Sequence, residues 1–194
     1  MRQRSIIRKT TETAIELELC LDGTGIAKIN TGIGFLDHML TLMTKHGLFD
    51  MTVACDGDLE VDQHHSVEDI GIVLGQAFDD AIGTKEGINR YAAVTTPMDE
   101  ALSRLSLDIS GRPYLVYRVD GLKEKVGTFD TELVEEFFRG FVNHAKLTLH
   151  INLEYGTNSH HMIESVFKGF GRALNEATRK NPQINGIPST KGSL

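Results

Sequence analysis

An α+β fold built from two duplicated halves, each a mixed sheet with helices on one face, is predicted by three observations on the 194-residue chain. His64-His65-Ser66-Val67-Glu68 recurs as His160-His161-Met162-Ile163-Glu164, and 160−64, 161−65 and 164−68 are all 96. Each copy opens a segment with the apolar period of a helix. Strictly alternating stretches, Ile15 to Leu21 and Leu147 to Tyr155, supply strands with one buried and one polar face. Gly83-Thr84-Lys85-Glu86-Gly87-Ile88-Asn89-Arg90 is a turn-rich connector between the two series. Paired strands, helix, strand, helix in each half give a ferredoxin-like, split β-α-β character. The halves are expected at residues 1–86 and 87–180, with residues 181–194 as a C-terminal tail.

In chain order, the first alternating strand ends at Asp22-Gly23-Thr24-Gly25, which reads as a tight hairpin turn with glycines suited to positive φ. After a second strand, Gly32-Ile33-Gly34 opens a helix that reaches Gly47, a plausible stop. A third strand near Met51 to Cys55 leads to the first His-His-x-x-Glu helix, with Val67, Ile70, Val73, Leu74 and Ala77 as its core stripe. The second half repeats the scheme with a strand at Leu105 to Ser110 and a helix near Thr131 to Asn143. The strand at Leu147 to Tyr155 follows, its apolar side being Leu147, Leu149, Ile151, Leu153 and Tyr155. The last helix buries Ile163, Val166, Phe170, Ala173 and Leu174.

Composition narrows the function. A net charge of −7 and a sequence pI near 5.6 give no electrostatic case for nucleic acid or an anionic membrane, so a bound anion must be held by a few placed cations. Cys20 and Cys55 are too few for a disulfide framework and lack thiolate metal spacing. Nowhere do roughly 18 apolar residues run together, and the expectation is a cytoplasmic protein.

The repeated motif carries chemistry. On a helix, residues three and four apart share a face while neighbours diverge by roughly 100°. Glu68 can therefore pair with His64 or His65, and two adjacent imidazoles suit two ions better than one. A lone helical histidine is usually an ordinary surface or core residue. Repetition of all three ligand types at one offset makes the metal reading the stronger one. The pattern is not His-Glu-x-x-His, in which two histidines one turn apart hold zinc.

Two further histidines are candidates. His38 sits early in its helix beside Asp37, an acid that could orient its ring. His150 projects from the polar side of its strand, opposite the core-facing residues. The tail, Asn185 to Leu194, reads as a frayed terminus or as a flexible phosphate clasp using Ser189 and Lys191.

Six segments together carry a family resemblance. They are Gly34-Phe35-Leu36-Asp37-His38-Met39-Leu40, Asp62 to Asp69, Asp108 to Tyr114, Leu149-His150, Ser159 to Glu164 and Ile187 to Gly192. In order and without a large insertion, they resemble the imidazoleglycerol-phosphate dehydratases of histidine biosynthesis. The resemblance implies a duplicated ferredoxin-like subunit, a homo-oligomer of 24 subunits with sites between them, and two manganese ions per active site. It implies His38, His64, His65, Glu68, His150, His160, His161 and Glu164 as metal ligands. Imidazole and carboxylate donors suit manganese but leave zinc, iron and nickel open, so the resemblance makes the choice.

The implied reaction removes water from imidazole-glycerol phosphate to give imidazole-acetol phosphate. Glu12 matches an acidic position of the family and becomes the candidate acid/base, although the residues alone favour a solvent-facing strand residue that shares parity with Glu16 and Glu18. Arg90, Arg112, Lys168, Ser189 and Lys191 match phosphate-binding positions. Two other readings stay open from the residues alone: a metal-storage protein, needing neither acid/base nor anchor, and a two-metal phosphoester hydrolase, for which the motifs are poor in carboxylates.

Overall fold

The computed structural model describes residues 1–194. Its elements are β1 (Gln3–Lys9), β2 (Thr13–Cys20), β3 (Ala27–Asn30), α1 (Gly34–Gly47), β4 (Asp50–Gly57) and α2 (His64–Ile82). The second half follows with β5 (Tyr91–Met98), β6 (Ala101–Asp108), β7 (Tyr114–Arg118), the ribbon β8 (Lys125–Val126) and β9 (Phe129–Asp130), α3 (Leu133–Ala145), β10 (Thr148–Tyr155) and α4 (Ser159–Thr178). The sheets have the same order, β1-β2-β4-β3 and β5-β6-β10-β7. In each, one pair is parallel, β3 with β4 and β7 with β10, and the rest are antiparallel. The α+β class and the duplication are as the sequence predicts. The parallel strands joined by a helix are direct neighbours, so each β-α-β unit is contiguous, with no strand set between its two arms.

The halves meet through their helices. α2 packs on α3 and α1 on α4, while α2 and α4 each also cover their own sheet. Both sheets therefore turn one face outward. Close approach depends on missing side chains: a Cβ at Gly71 would stand 2.4 Å from the Phe137 carbonyl oxygen, and one at Gly75 would stand 2.5 Å from that of Phe141. In the other pair a Cβ at Gly171 would stand 2.2 Å from the Met43 carbonyl oxygen. Contacts advance together along both partners, so each pair runs parallel. Between the layers lies one core of 45 buried residues drawn from both halves. Phe78, Phe137, Phe138, Phe141, Phe167 and Phe170 form its aromatic centre, with edge and tilted contacts at 5.0–5.6 Å such as Phe141 on Phe170. Each such ring contributes roughly 1.5–3 kcal/mol through burial.

Three local expectations are corrected. Asp22 to Gly25 is not a hairpin turn, because β2 and β3 lie on opposite sides of β4. The loop is instead gathered by Asp50 Oδ1, which accepts from the amides of Thr24, Gly25 and Ile26 at 2.8, 3.1 and 2.9 Å. Gly47 is the last helical residue, and the left-handed stop falls on Leu48 at φ 56°. The bare Cα of Gly47 serves packing against the Gly171 carbonyl and the Phe49 ring. Tyr155 is exposed, because the pairing of β10 with β6 shifts register between Leu153 and Tyr155. An alternation read to the strand's end cannot foresee such a slip.

Candidate active site

α1 and α4 bring His38, His160 and Glu164 together although they belong to different halves. Glu164 Oε2 lies 3.4 Å from His38 Nε2 and 3.2 Å from His160 Nε2. The three ligand atoms all fall within 4.8 Å of one another. Two imidazole nitrogens and one carboxylate oxygen converging at that separation fit a divalent cation, with thiolate absent. The other carboxylate oxygen, Oε1, takes Lys168 Nζ at 2.6 Å. Burial works to raise the Glu164 carboxyl, but Lys168 and then His38 outweigh it and hold it below the ordinary carboxylate value. Phe35 stands edge-on to His160 at 5.2 Å and against Phe129 of the ribbon at 5.0 Å, walling the cluster.

The adjacent histidines face elsewhere, each fixed by an acid. Glu100, in the turn between β5 and β6, lies 2.7 Å from His161 Nδ1 through Oε2. Its Oε1 accepts from the Thr157 and Asn158 amides, just before α4. The hydrogen bond from His161 and those from the chain amides lower the Glu100 carboxyl to about 2, and Glu100 in turn raises His161. Asn158 caps α4 by accepting from the amides of His160 and His161. At α2 the same arrangement is built from other residues: Asp58 lies 2.9 Å from His65 Nδ1 and raises its pKa, and Asp62 accepts from the His64 amide at 2.7 Å. An acid on Nδ1 fixes the ring and leaves Nε2 as the outward donor, the usual support for a metal-ligating histidine. His64 Nε2 and Glu68 Oε2 face each other at 3.7 Å.

His64, Glu68 and His150 do not converge within the chain. His150 lies on the outward face of the second sheet, opposite Ser106 of β6 and Val116 of β7, in an open depression that includes Tyr91, Asp108 and Glu176. The duplication explains why one cluster forms rather than two. Gly75 meets the Phe141 carbonyl as Gly171 meets that of Met43, and 141−43 is 98, so the counterpart of His38 on α3 is Glu136 (38+98). Glu136 is engaged by Arg139 at 3.5 Å.

Glu12 stands in the β1–β2 turn with a carboxylate oxygen 3.9 Å from His65 Nε2. Arg90 is forked onto Asp108, with Nε at 2.7 Å and a second nitrogen at 3.2 Å, and donates to the Pro188 carbonyl at 2.8 Å. This draws the tail against the second half. Arg112 donates to the Ser110 carbonyl at 3.2 Å, and Ser189 Oγ accepts from the Lys191 amide at 3.2 Å. Lys168 stands apart from these cations, on Glu164. Asp37 does not orient His38. Its carboxylate accepts from the amide and hydroxyl of Thr31 at 2.8 and 2.6 Å, fastening the chain before α1.

Comparison with known proteins gives the family. Residues 31–174 match the family model described as imidazoleglycerol-phosphate dehydratase. The chain belongs to that family. The enzyme of this name from Oceanobacillus iheyensis is 65% identical over 194 residues, covering all of both chains, and that from Methylobacterium radiotolerans is 58% identical over 195 residues with the same coverage. The crystal structure of imidazoleglycerol-phosphate dehydratase from Staphylococcus aureus superposes with a TM-score of 0.84 at 46% identity, covering 92% of this chain and 99% of that one. That of the Pyrococcus furiosus protein in complex with (S)-C348 gives 0.83 at 36%, covering 97% and 100%. Membership makes the chain a hydro-lyase and places it in histidine biosynthesis. No helix of this dehydratase-family chain is long and apolar enough to cross a membrane.

The signals that sequence reading missed are Asp58, Glu100 and Phe35. The acids lie in turns without a motif, joined to their histidines only by the fold.

Proposed function

We propose that the chain catalyses metal-dependent dehydration of D-erythro-imidazole-glycerol phosphate to imidazole-acetol phosphate in the cytoplasm. The observation that carries this reading is the His38, His160 and Glu164 group, with its donor atoms turned to a common point, in a chain of the dehydratase family. His38, His160 and Glu164 would hold one ion. His64, His65, Glu68, His150 and His161 would supply a second from residues brought together between subunits of a homo-oligomer, for which the family resemblance supplies the 24-subunit shell and the choice of two manganese ions per site. When bound, such ions supply Lewis acidity and a template for a nitrogen heterocycle.

The chain's own groups do the rest. The proton that must leave has no carbonyl beside it, so the imidazole ring of the substrate supplies the electrons that break the C–O bond of the departing hydroxyl. Loss of the ring N–H proton releases that electron pair, and the departing hydroxide takes up the proton to leave as water. Glu12 then takes the neighbouring C–H proton and returns it to the ring nitrogen, and the resulting enol tautomerises to the ketone. Arg90, Arg112, Lys168, Ser189 and Lys191 hold the phosphate through charge-assisted hydrogen bonds. Arg90 is already in contact with the tail at Pro188, which brings Ser189 and Lys191 to the same edge of the molecule.

Metal analysis of the purified protein, combined with an assay for imidazole-acetol phosphate, tests the reading. Glu12→Gln is expected to keep its metal and lose turnover. Deletion from Ser189 onward is expected to raise KM without stripping metal. Metal-free protein with full turnover, or phosphate release from generic esters in place of the ketone, would overturn it.

A further inference from the structure

Asp69 is a buried acid that the proposed chemistry does not use, although it follows Glu68 directly. Its carboxylate points away from the His64 and Glu68 pair into the first half. There Thr13 Oγ donates to Asp69 Oδ2 at 2.5 Å, and Arg8 Nη1 contacts the same oxygen at 2.5 Å. Thr13 is itself buried and begins β2, one residue after Glu12. Asp69 also lies four residues after His65, on the same face of α2.

The turn that presents Glu12 is thus fixed from three directions. Thr10 Oγ accepts from the amides of Glu12 and Thr13 at 3.1 and 3.0 Å, closing the turn on itself. The Asp58 amide donates to the Glu12 carbonyl at 3.0 Å, while the Asp58 carboxylate holds His65. The Thr13 hydroxyl anchors the turn to Asp69, one helical turn beyond His65. Both ends of the Glu12 to His65 approach are therefore referred to the same stretch of α2.

We propose that the Asp69–Thr13 hydrogen bond is a positioning device for the acid/base: it sets the height of the Glu12 carboxylate over the Nε2 edge of His65. The inference rests on the assignment of Glu12 above. Such a bond acts on turnover, because a group that moves a proton tolerates little displacement, whereas the phosphate anchors lie on the second half. Asp69 and Thr13 do not touch substrate in this account.

The test is steady-state kinetics and metal content of the full-length protein carrying Thr13→Val, which keeps the shape and removes the donor. A fall in kcat of about tenfold is expected, with KM and metal content within about twofold of the parent. Thr13→Ser restores the donor and is expected to recover most of the loss. Thr178→Val, which removes another buried hydroxyl far from the turn, is expected to leave kcat unchanged and controls for a general loss of stability. Should Thr13→Val not fold, Asp69→Ala, which removes the acceptor, supplies the same comparison. If Glu12→Gln abolishes turnover while Thr13→Val, or Asp69→Ala in its place, retains parental kcat, the positioning role is wrong and the assignment of Glu12 stands. If Glu12→Gln itself retains turnover, that assignment falls and the positioning role falls with it.

Discussion

Glu100 Oε2 and His161 Nδ1 meet at 2.7 Å, joining the β5–β6 turn to the first turn of α4 across 61 positions of sequence. Asp58 does the same for His65 at 2.9 Å from the loop before α2. The motif is duplicated by sequence, yet its supporting acids come from places that the duplication does not relate.

Glu100→Gln, and separately Asp58→Asn, are expected to weaken metal retention by about 10- to 100-fold while leaving the fold intact. Chelator competition followed by metal analysis checks this. Unchanged retention in both variants would mean that the acids serve the local chain and not the ligand.

His150 stands on the outward sheet face, away from His38 and His160. Subunits carrying His38→Ala and subunits carrying His150→Ala should each be inactive alone. Dissociated, mixed and reassembled, they should regain part of the parental turnover, because some sites then receive both histidines intact. No recovery from well-assembled mixtures would place the ligands of each site within one chain.

The helix seams give a stability prediction. Gly71→Ala drives a methyl to 2.4 Å from the Phe137 carbonyl and should cost about 1–3 kcal/mol in denaturant unfolding. Gly34→Ala meets nothing within 4 Å and should change stability by less than about 0.5 kcal/mol. Equal effects would show that the α2–α3 seam yields freely.

Acid should loosen the β2–β3 loop. The amides of Thr24 and Ile26, above all, hold the Asp50 carboxyl below its ordinary 3.8. A group with a depressed folded pKa contributes its stability above the unfolded value, and that contribution is lost as pH falls through the folded value. Hydrogen exchange at Thr24, Gly25 and Ile26 should therefore be well protected at neutral pH and lose protection below about pH 3.8, beyond the intrinsic pH dependence of exchange. Asp50→Asn should lack this acid step. A variant that keeps the step would assign it to another group.

Local and periodic features were legible in the sequence. The spans of the four helices and their buried stripes follow from apolar spacing, since Val67, Ile70, Phe137, Phe141, Ile163 and Phe170 are all buried where a 3.6-residue period puts them. The motif repeat gave the duplication. What stayed hidden depends on tertiary geometry. β3 and β7 are short edge strands of four and five residues, with no long alternation to announce them. Gly71, Gly75 and Gly171 read as ordinary helical glycines until a neighbouring carbonyl lies against them. His38 stood beside an obvious acid, Asp37, which the fold gives to Thr31 instead.

The seam of bare Cα atoms also bears on how the molecule can come apart. Each half leaves the far side of its helices with no cover except the other half, so neither fragment is self-sufficient. A nick in the Gly83 to Arg90 connector would sever the peptide but not the clasp, and separately made fragments would have to find one another before either could exclude water.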